Sequence, residues 1–595
     1  MAQSDLWAAD WNGGKRQLTR TPDRNEWMPQ PLPGGRIAFL SDGAADGSTQ
    51  LWAMPARGGR PRQLTRIPGG VGDYSLSPNG TEAVVTIATG GAEMPADGPQ
   101  PPIVIDRFQS RQDGRGWLDS QRVQLALVSL KDGRVRQLTS GEFDHWLPSW
   151  SPDGRWIAFV SKRCADADRH SCSDVYVMPA AGGEARRLSR HAGADADPEF
   201  EAGRPQWSPD SARLAWVRAG DEALTWYSPF RLVVADVASG ALHEPGPADK
   251  WVYAPRWTAD GKILALVEVD RATRLAEIGP DDASLRWLTG DTETVLDFAT
   301  GGTRVAALLG NSKAPPALWA LDEPRRNLAD HNEWIGTRQL SEAQPVSWAS
   351  GDQQVHGLLL LPPGHRDGER LPLIVRLHGG PVWQWSHEFM ADWQAFAARG
   401  YAVLAPNPRG SSGRGEAFAR AQMADWGNGD VADVRAGIDH LIATGIADPN
   451  RIGIGGWSYG GILTNYLIAS EPRIRAAVSG AGMGNFLGGY GVDQYSRDYE
   501  LELGRPWEQP DLWHRLSYPF FEASRIHTPT LYLCAEADSN VPCSGSQQMY
   551  QALKSLDVPT RLVVYPGENH GLTVPAYRVD RVERELDWYG RYLRD

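Results

Sequence analysis

Cysteine is scarce in this chain, with four residues in 595. That is too few for the disulfide scaffold of a small secreted fold, so packing must hold the chain together. No apolar run reaches the roughly 18–20 residues that a bilayer crossing needs, and no secretory leader is visible. A cytoplasmic location is therefore expected, or a periplasmic or secreted one if a native N-terminus is missing. Basic residues are outnumbered, 60 Lys and Arg against 73 Asp and Glu, for a formal net charge of −13. That balance argues against nucleic acid or an anionic membrane as a partner. A homo-oligomer is left open. The cysteines fall in two close pairs. Cys164 and Cys172 bracket a polar loop and are near enough in sequence to pair, and an oxidised pair would imply export. Cys534 and Cys543 bracket a later loop, and Cys534, inside an apolar strand, is expected as a buried thiol. The acidic run Asp425, Asp430, Asp433 reads as a helix start favoured by the macrodipole and not as a metal site. No metal or other cofactor is expected.

A chain of this length exceeds a single core and should divide into domains. The first half repeats itself. Leu6-Trp7-Ala8 leads to Arg16-Gln17-Leu18-Thr19, Leu51-Trp52-Ala53 to Arg62-Gln63-Leu64-Thr65, and Leu125-Ala126-Leu127 to Arg136-Gln137-Leu138-Thr139. Val175-Tyr176-Val177 leads to Arg186-Arg187-Leu188-Ser189, and further unit ends fall near Leu242, Leu288 and Leu328. Turns of one type lie between them: Ser77-Pro78-Asn79-Gly80, Ser151-Pro152-Asp153-Gly154, Ser208-Pro209-Asp210-Ser211 and Thr258-Ala259-Asp260-Gly261. Short strands and Pro/Asp/Gly turns at a period of about 40–50 residues are the mark of a β-propeller. Seven unit ends imply seven blades over residues 1–335. The first is short, either incomplete or completed by strands after Leu328. Many of the 25 tryptophans, such as Trp52, Trp150, Trp207 and Trp257, are expected in the propeller core.

Residues 336–595 read as an α/β-hydrolase domain. The strand-like Arg451-Ile452-Gly453-Ile454-Gly455 runs into Gly456-Trp457-Ser458-Tyr459-Gly460 and then into helix-like Ile462 to Leu467. Strand, tight turn and helix are the context of a nucleophile elbow, with Ser458 at its tip. Asp538 follows the strand-like 529–534 run, and His570 follows 561–565. A serine hydroxyl is a poor nucleophile until an imidazole takes its proton, and a carboxylate fixes the tautomer of that imidazole. Ser458, Asp538 and His570 stand in the chain order this fold uses. Upstream, His378-Gly379-Gly380-Pro381 follows a strand and supplies an oxyanion loop. Its donors are assigned to the Tyr459 and Gly380 amides, with Gly379 the near alternative.

With Pro406-Asn407-Pro408-Arg409-Gly410-Ser411, Asp425-Trp426-Gly427 and Pro566-Gly567-Glu568-Asn569-His570-Gly571, these words make the chain from about Arg338 onward resemble the prolyl oligopeptidase family, nearest its acylaminoacyl-peptidase-like branch. The resemblance implies a serine peptidase acting on short peptides, with the S1 pocket lined from the segment Ala481 to Tyr490. Met483, Phe486 and Tyr490 are its candidates, with Trp457, Tyr459 and Val541 nearby, so an apolar P1 residue is expected. Asn540, two residues past Asp538, resembles the position at which dipeptidyl peptidases contact substrate. The glutamate pair that grips a free α-amine in that branch is not found. Arg409 is expected to brace a loop. The other reading is a binding protein with an idle hydrolase domain, against which the complete set of site residues argues; within the family the alternative is a dipeptidyl peptidase or a carboxypeptidase, and among other enzymes the runner-up is an esterase.

Overall fold

The structure, a computed structural model, describes residues 4–91, 99, 101–196 and 203–594. Six antiparallel sheets of four strands occupy residues 26–63, 74–137, 145–187, 206–243, 252–287 and 294–329. The seven blades expected are thus corrected to six of full size. The first repeat unit holds only two strands, Trp7–Ala9 and Lys15–Gln17, paired as a separate ribbon. Among the described residues, no strand after Leu328 joins its ladder.

The repeat has a physical cause. The last strand of a blade is only two to four residues long and is too short to hold by its ladder alone. The Thr or Ser that ends each motif accepts a hydrogen bond from a backbone N–H on the preceding strand: Thr19 from Leu6, Thr65 from Leu51, Thr139 from Leu125, Ser189 from Val175 and Thr289 from Leu275, at 2.8–3.0 Å. The leucine before it donates its own N–H back, as Leu64 does to Leu51 O at 2.8 Å. The intervening turns are set by a short polar side chain that accepts from the first turn residue, as Asp153 does from Ser151 and Asp260 from Thr258. Apolar clusters fill the space between adjoining blades and contain Trp150, Trp207 and Trp257.

From Gln344 onward the chain forms one eight-stranded sheet, whose strands are numbered here β1 (Gln344–Ser350), β2 (Gln353–Leu360), β3 (Leu371–Leu377), β4 (Ala402–Asn407), β5 (Ala447–Trp457), β6 (Ile474–Gly480), β7 (Thr530–Ala535) and β8 (Thr560–Tyr565). The order is 1-2-4-3-5-6-7-8, parallel from β4 through β8. Buried on both faces, β3 and β7 read as largely apolar runs, broken in β3 by Arg376, which pairs with Asp392 and Glu585. Helices α1 (Ala391–Ala398) and α6 (Pro575–Leu593) cover one face, and α2 (Gly429–Ala443) and α3 (Tyr459–Ser470) the other. Helices α4 (Ser496–Leu503) and α5 (Cys543–Ser555) complete the second side. Among the described residues, no helix is long and apolar enough to cross a membrane.

The two halves meet through buried polar contacts. Gln384 donates to Val269 O at 2.8 Å and accepts from the Arg271 N–H at 2.9 Å. One oxygen of Glu502, on α4, accepts from the propeller's Tyr227 hydroxyl (2.8 Å), the Trp426 indole (2.7 Å) and the Ala424 N–H (2.8 Å). Burial pushes the Glu502 carboxyl up from 4.5 to about 7, against the pull of these donors. The folded state therefore keeps a proton that the unfolded chain has released, and stability falls as pH rises from 4.5 toward 7. Glu502→Gln keeps an accepting oxygen but cannot titrate. Its melting temperature should decline less across that window than that of the wild type, and calorimetry at the two pH values checks this. Equal declines would rule out Glu502 as the source.

Candidate active site

The turn after β5 is held open by two close approaches. A Cβ on Gly456 would stand 2.4 Å from Leu377 O, and one on Gly460 2.3 Å from the same oxygen. With both glycines in place, β5 and the start of α3 lie directly on the end of β3. Ser458, between them, takes φ 62° and ψ −127°, outside the regions an L-residue prefers. Its N–H donates to Gly480 O at 3.0 Å, which ties the turn to the end of β6. The serine directly precedes α3, so the Tyr459 amide is among the helix's unpaired N-terminal donors.

The 378–380 loop lies against this turn: a Cβ on Gly379 would come within 3.5 Å of Ser458 Cβ. His378 is buried, which drives its pKa down to about 4 and keeps the ring neutral. Its Nδ1 donates to Gly379 O at 2.6 Å and its Nε2 meets Ser411 Oγ at 2.9 Å. Holding the Gly379 carbonyl from one side turns the Gly380 N–H of the same peptide plane to the other. Gly380 has φ 123° and precedes a cis proline.

Asp538 and His570 meet past the ends of β7 and β8. Asp538 Oδ2 accepts from His570 Nδ1 at 2.8 Å, while Oδ1 accepts from the Asn540 and Val541 N–H groups at 2.8 and 2.7 Å. The carboxylate is thereby fixed in its own loop and aimed at the ring. Trp457, next to Ser458, donates its indole N–H to His570 O at 3.0 Å, which joins the histidine loop to the serine turn.

The substrate-side candidates divide. Met483 and Phe486 belong to the core cluster on the α2 and α3 face, where Phe486 packs edge-on to Trp426 at 5.2 Å between ring centres. Tyr490 packs against the same cluster and donates to Glu500 at 2.7 Å. Trp457 packs with the cluster on the opposite face of the sheet, so the structure does not bring its ring to the other three. Val541 is buried, and Asn540 accepts from Tyr495 at 2.9 Å through its amide oxygen. A cavity of about 1260 Å³ beside the 111–117 hairpin is lined by Arg107, Gln112, Arg115, Arg169 and Arg497, among others. Ser458, Asp538 and His570 are not part of its wall.

One reading from sequence is corrected and another is extended. Cys534 is not a free thiol but is bonded to Cys543, so a covalent link spans the Asp538 loop; Cys164 and Cys172 are bonded as well. Asp430 and Asp433 are fully buried and serve as anchors, beyond any helix-start role. Asp433 pairs with Arg409 at 2.8 Å and so braces the 408–411 loop. Asp430 accepts from the Tyr459 hydroxyl (2.7 Å), Gln422 (2.8 Å) and the Gly427 N–H (3.2 Å), and burial pushes its carboxyl up to about 6.

Residues 387–595 match the model of the prolyl oligopeptidase family. The chain carries a prolyl oligopeptidase family domain. It is a serine peptidase. The uncharacterized peptidase YuxL of Bacillus subtilis is 27% identical over 621 residues, covering 99% of this chain and 94% of that relative. Dipeptidyl-peptidase 5 of Porphyromonas gingivalis is 26% identical, covering 100% and 90%. An acylaminoacyl peptidase solved in complex with Z-Gly-Gly-Phe-chloromethyl ketone superposes with a TM-score of 0.84 at 20% identity, covering 100% of this chain and 96% of that one, a likeness of fold.

Asp430→Ala would leave the buried Tyr459 hydroxyl without its acceptor, at a cost of about 1–3 kcal/mol. A lowered melting temperature, with a smaller drop for Asp430→Asn, is the expected result by differential scanning fluorimetry.

Proposed function

We propose that this peptidase hydrolyses short peptides through an acyl-enzyme on Ser458, with an acylaminoacyl-peptidase-like or oligopeptidase specificity and an apolar P1 residue. The observation that carries the reading is the Asp538–His570 pair, tied by Trp457 to the turn that presents Ser458. Ser458 Oγ attacks the scissile carbonyl carbon as His570 Nε2 takes the hydroxyl proton. The carbonyl oxygen becomes an oxyanion held by the Tyr459 and Gly380 N–H groups. When the C–N bond breaks, His570 returns the proton to the departing amine. Water then attacks the ester, His570 again acting as base, and the acid and Ser458 are released.

The apolar P1 preference rests on Met483, Phe486 and Tyr490 in one cluster. The phenylalanyl inhibitor in the acylaminoacyl peptidase agrees with it. A dipeptidyl peptidase is the second reading. Tyr495 occupies the Asn540 oxygen, which leaves the amide NH₂ to meet a substrate carbonyl, and relatives are named dipeptidyl-peptidase 5. The two disulfides support an exported location, since thiols stay reduced in the cytosol.

Ser458→Ala should lower turnover of a chromogenic peptide by about 10⁴–10⁶-fold and abolish fluorophosphonate labelling without unfolding the protein. Undiminished turnover would sink the assignment. On acetyl-aminoacyl p-nitroanilides, Phe or Leu at P1 should exceed Gly by about tenfold or more in kcat/KM, the worth of one buried apolar side chain. Cleavage confined to free dipeptidyl anilides would transfer the enzyme to the second reading, and a preference for Lys or Arg would refute the apolar pocket.

A further inference from the structure

The propeller sends one carboxylate into the catalytic loops. Between the second and third strands of the 74–137 blade the chain leaves the sheet and forms a small hairpin, Arg111–Gln112 against Gly116–Trp117, with Asp113 at its tip. Asp113 Oδ1 accepts from the Ser539 N–H at 3.0 Å, the residue next to Asp538. Both of its oxygens lie within 3.3 Å of the His570 N–H. The hairpin is itself seated: the Asp113 N–H donates to Gln494 Oε1 at 2.8 Å, the Gln494 N–H donates to Ser539 O at 3.0 Å, and the Arg111 guanidinium lies 3.9 Å from the Trp117 ring centre. One side chain of the first domain therefore bridges the backbones of the loops that carry Asp538 and His570, across 426 and 457 residues of sequence.

We propose that Asp113 is a positioning residue for the triad, fixing the distance and angle between Asp538 and His570 from the propeller side. The inference rests on the reading of Ser458, Asp538 and His570 given above. The bonds inside the hydrolase domain leave these two backbone N–H groups to the propeller. With their acceptor gone, the loops lose a shared reference point, and the imidazole drifts from the line between the carboxylate and Ser458. Misplacement of a reacting group by about 1 Å costs on the order of 10²-fold in rate.

The test uses the full-length enzyme and reads kcat, KM, the second-order rate of fluorophosphonate labelling and the melting temperature. Asp113→Ala should lower kcat by about 10–100-fold with KM within about twofold, and labelling should fall in parallel, because the probe needs only an aligned Ser458 and His570. Asp113→Asn, whose amide oxygen still accepts, should recover to within about threefold of wild type. Gln494→Ala, which unseats the hairpin without touching the triad loops' acceptor, should lower kcat by a smaller factor, about three- to tenfold. The latter two variants carry the test if Asp113→Ala does not fold. Unchanged kcat and labelling in Asp113→Ala, a change in KM alone, or a lower melting temperature with normal kcat would each overturn the proposal. Turnover that survives Ser458→Ala would instead remove the triad reading beneath it, so the two failures are distinguishable.

Discussion

A serine held at φ 62° on the end of a parallel strand is the constraint from which the rest of the hydrolase half follows. The turn exists only because Leu377 O can approach within 2.3–2.4 Å of where two side chains would begin. That approach fixes β5 against β3, and so it also fixes where the 378–380 loop leaves β3. The same contact orients the start of α3, which directly follows Ser458. Strain at Ser458 is balanced by the fully buried helix behind it, which lies in the larger core cluster of the sheet. The arrangement is stiff because every part is bonded to a neighbour that is itself enclosed.

Buried carboxylates supply much of that enclosure. Asp430 anchors Tyr459, Asp433 anchors Arg409, and Glu502 joins α4, the 424–426 segment and the propeller at one oxygen. Burial raises Asp430 and Glu502 toward neutrality, whereas Asp433 is held by a bidentate guanidinium. Acids of the same residue type thus do two kinds of work. Those met by neutral donors can hold a proton in place of a charge, whereas Asp433 meets a cation.

What the sequence made legible was whatever recurs or follows locally. The Thr-ended motifs were readable because each hydroxyl closes a blade about 14 residues from its donor, a spacing that periodicity reports. The strand-end positions of Ser458, Asp538 and His570 were readable because apolar runs stop just before each of them. The face on which a side chain lies was not. Trp457 stands beside Ser458 in sequence yet packs across the sheet from Met483 and Phe486. The Cys534–Cys543 bond was missed because a strand-like run says that a residue is buried and nothing about its partner. Asp430 and Asp433 resemble any acidic helix start until their partners, Tyr459 and Arg409, are brought to them by the fold. The blade count failed for a related reason: a closing motif marks the end of a unit, not how many strands precede it. Asp113 could not have been found, since its meaning lies wholly in contacts across the domain boundary.

The two-stranded ribbon at residues 7–17 joins its neighbours by different forces on its two sides. Toward the 26–63 blade, Leu6 and Leu18 share an apolar cluster with Phe39, Met54 and Trp52. Toward the 294–329 blade and the residues that follow it the contacts include Lys15 with Glu333 and the Asp330 carbonyl, Arg326 with the Trp11 carbonyl, the Trp11 ring beside Arg304, and the Trp7 ring against His331. The interblade clusters elsewhere are oil-like and indifferent to salt, while charge-borne contacts at a wet surface weaken as the Debye length shrinks from about 10 Å at 0.1 M to about 3 Å at 1 M. Salt therefore loosens the ribbon more on the 294–329 side than on the side of the apolar cluster.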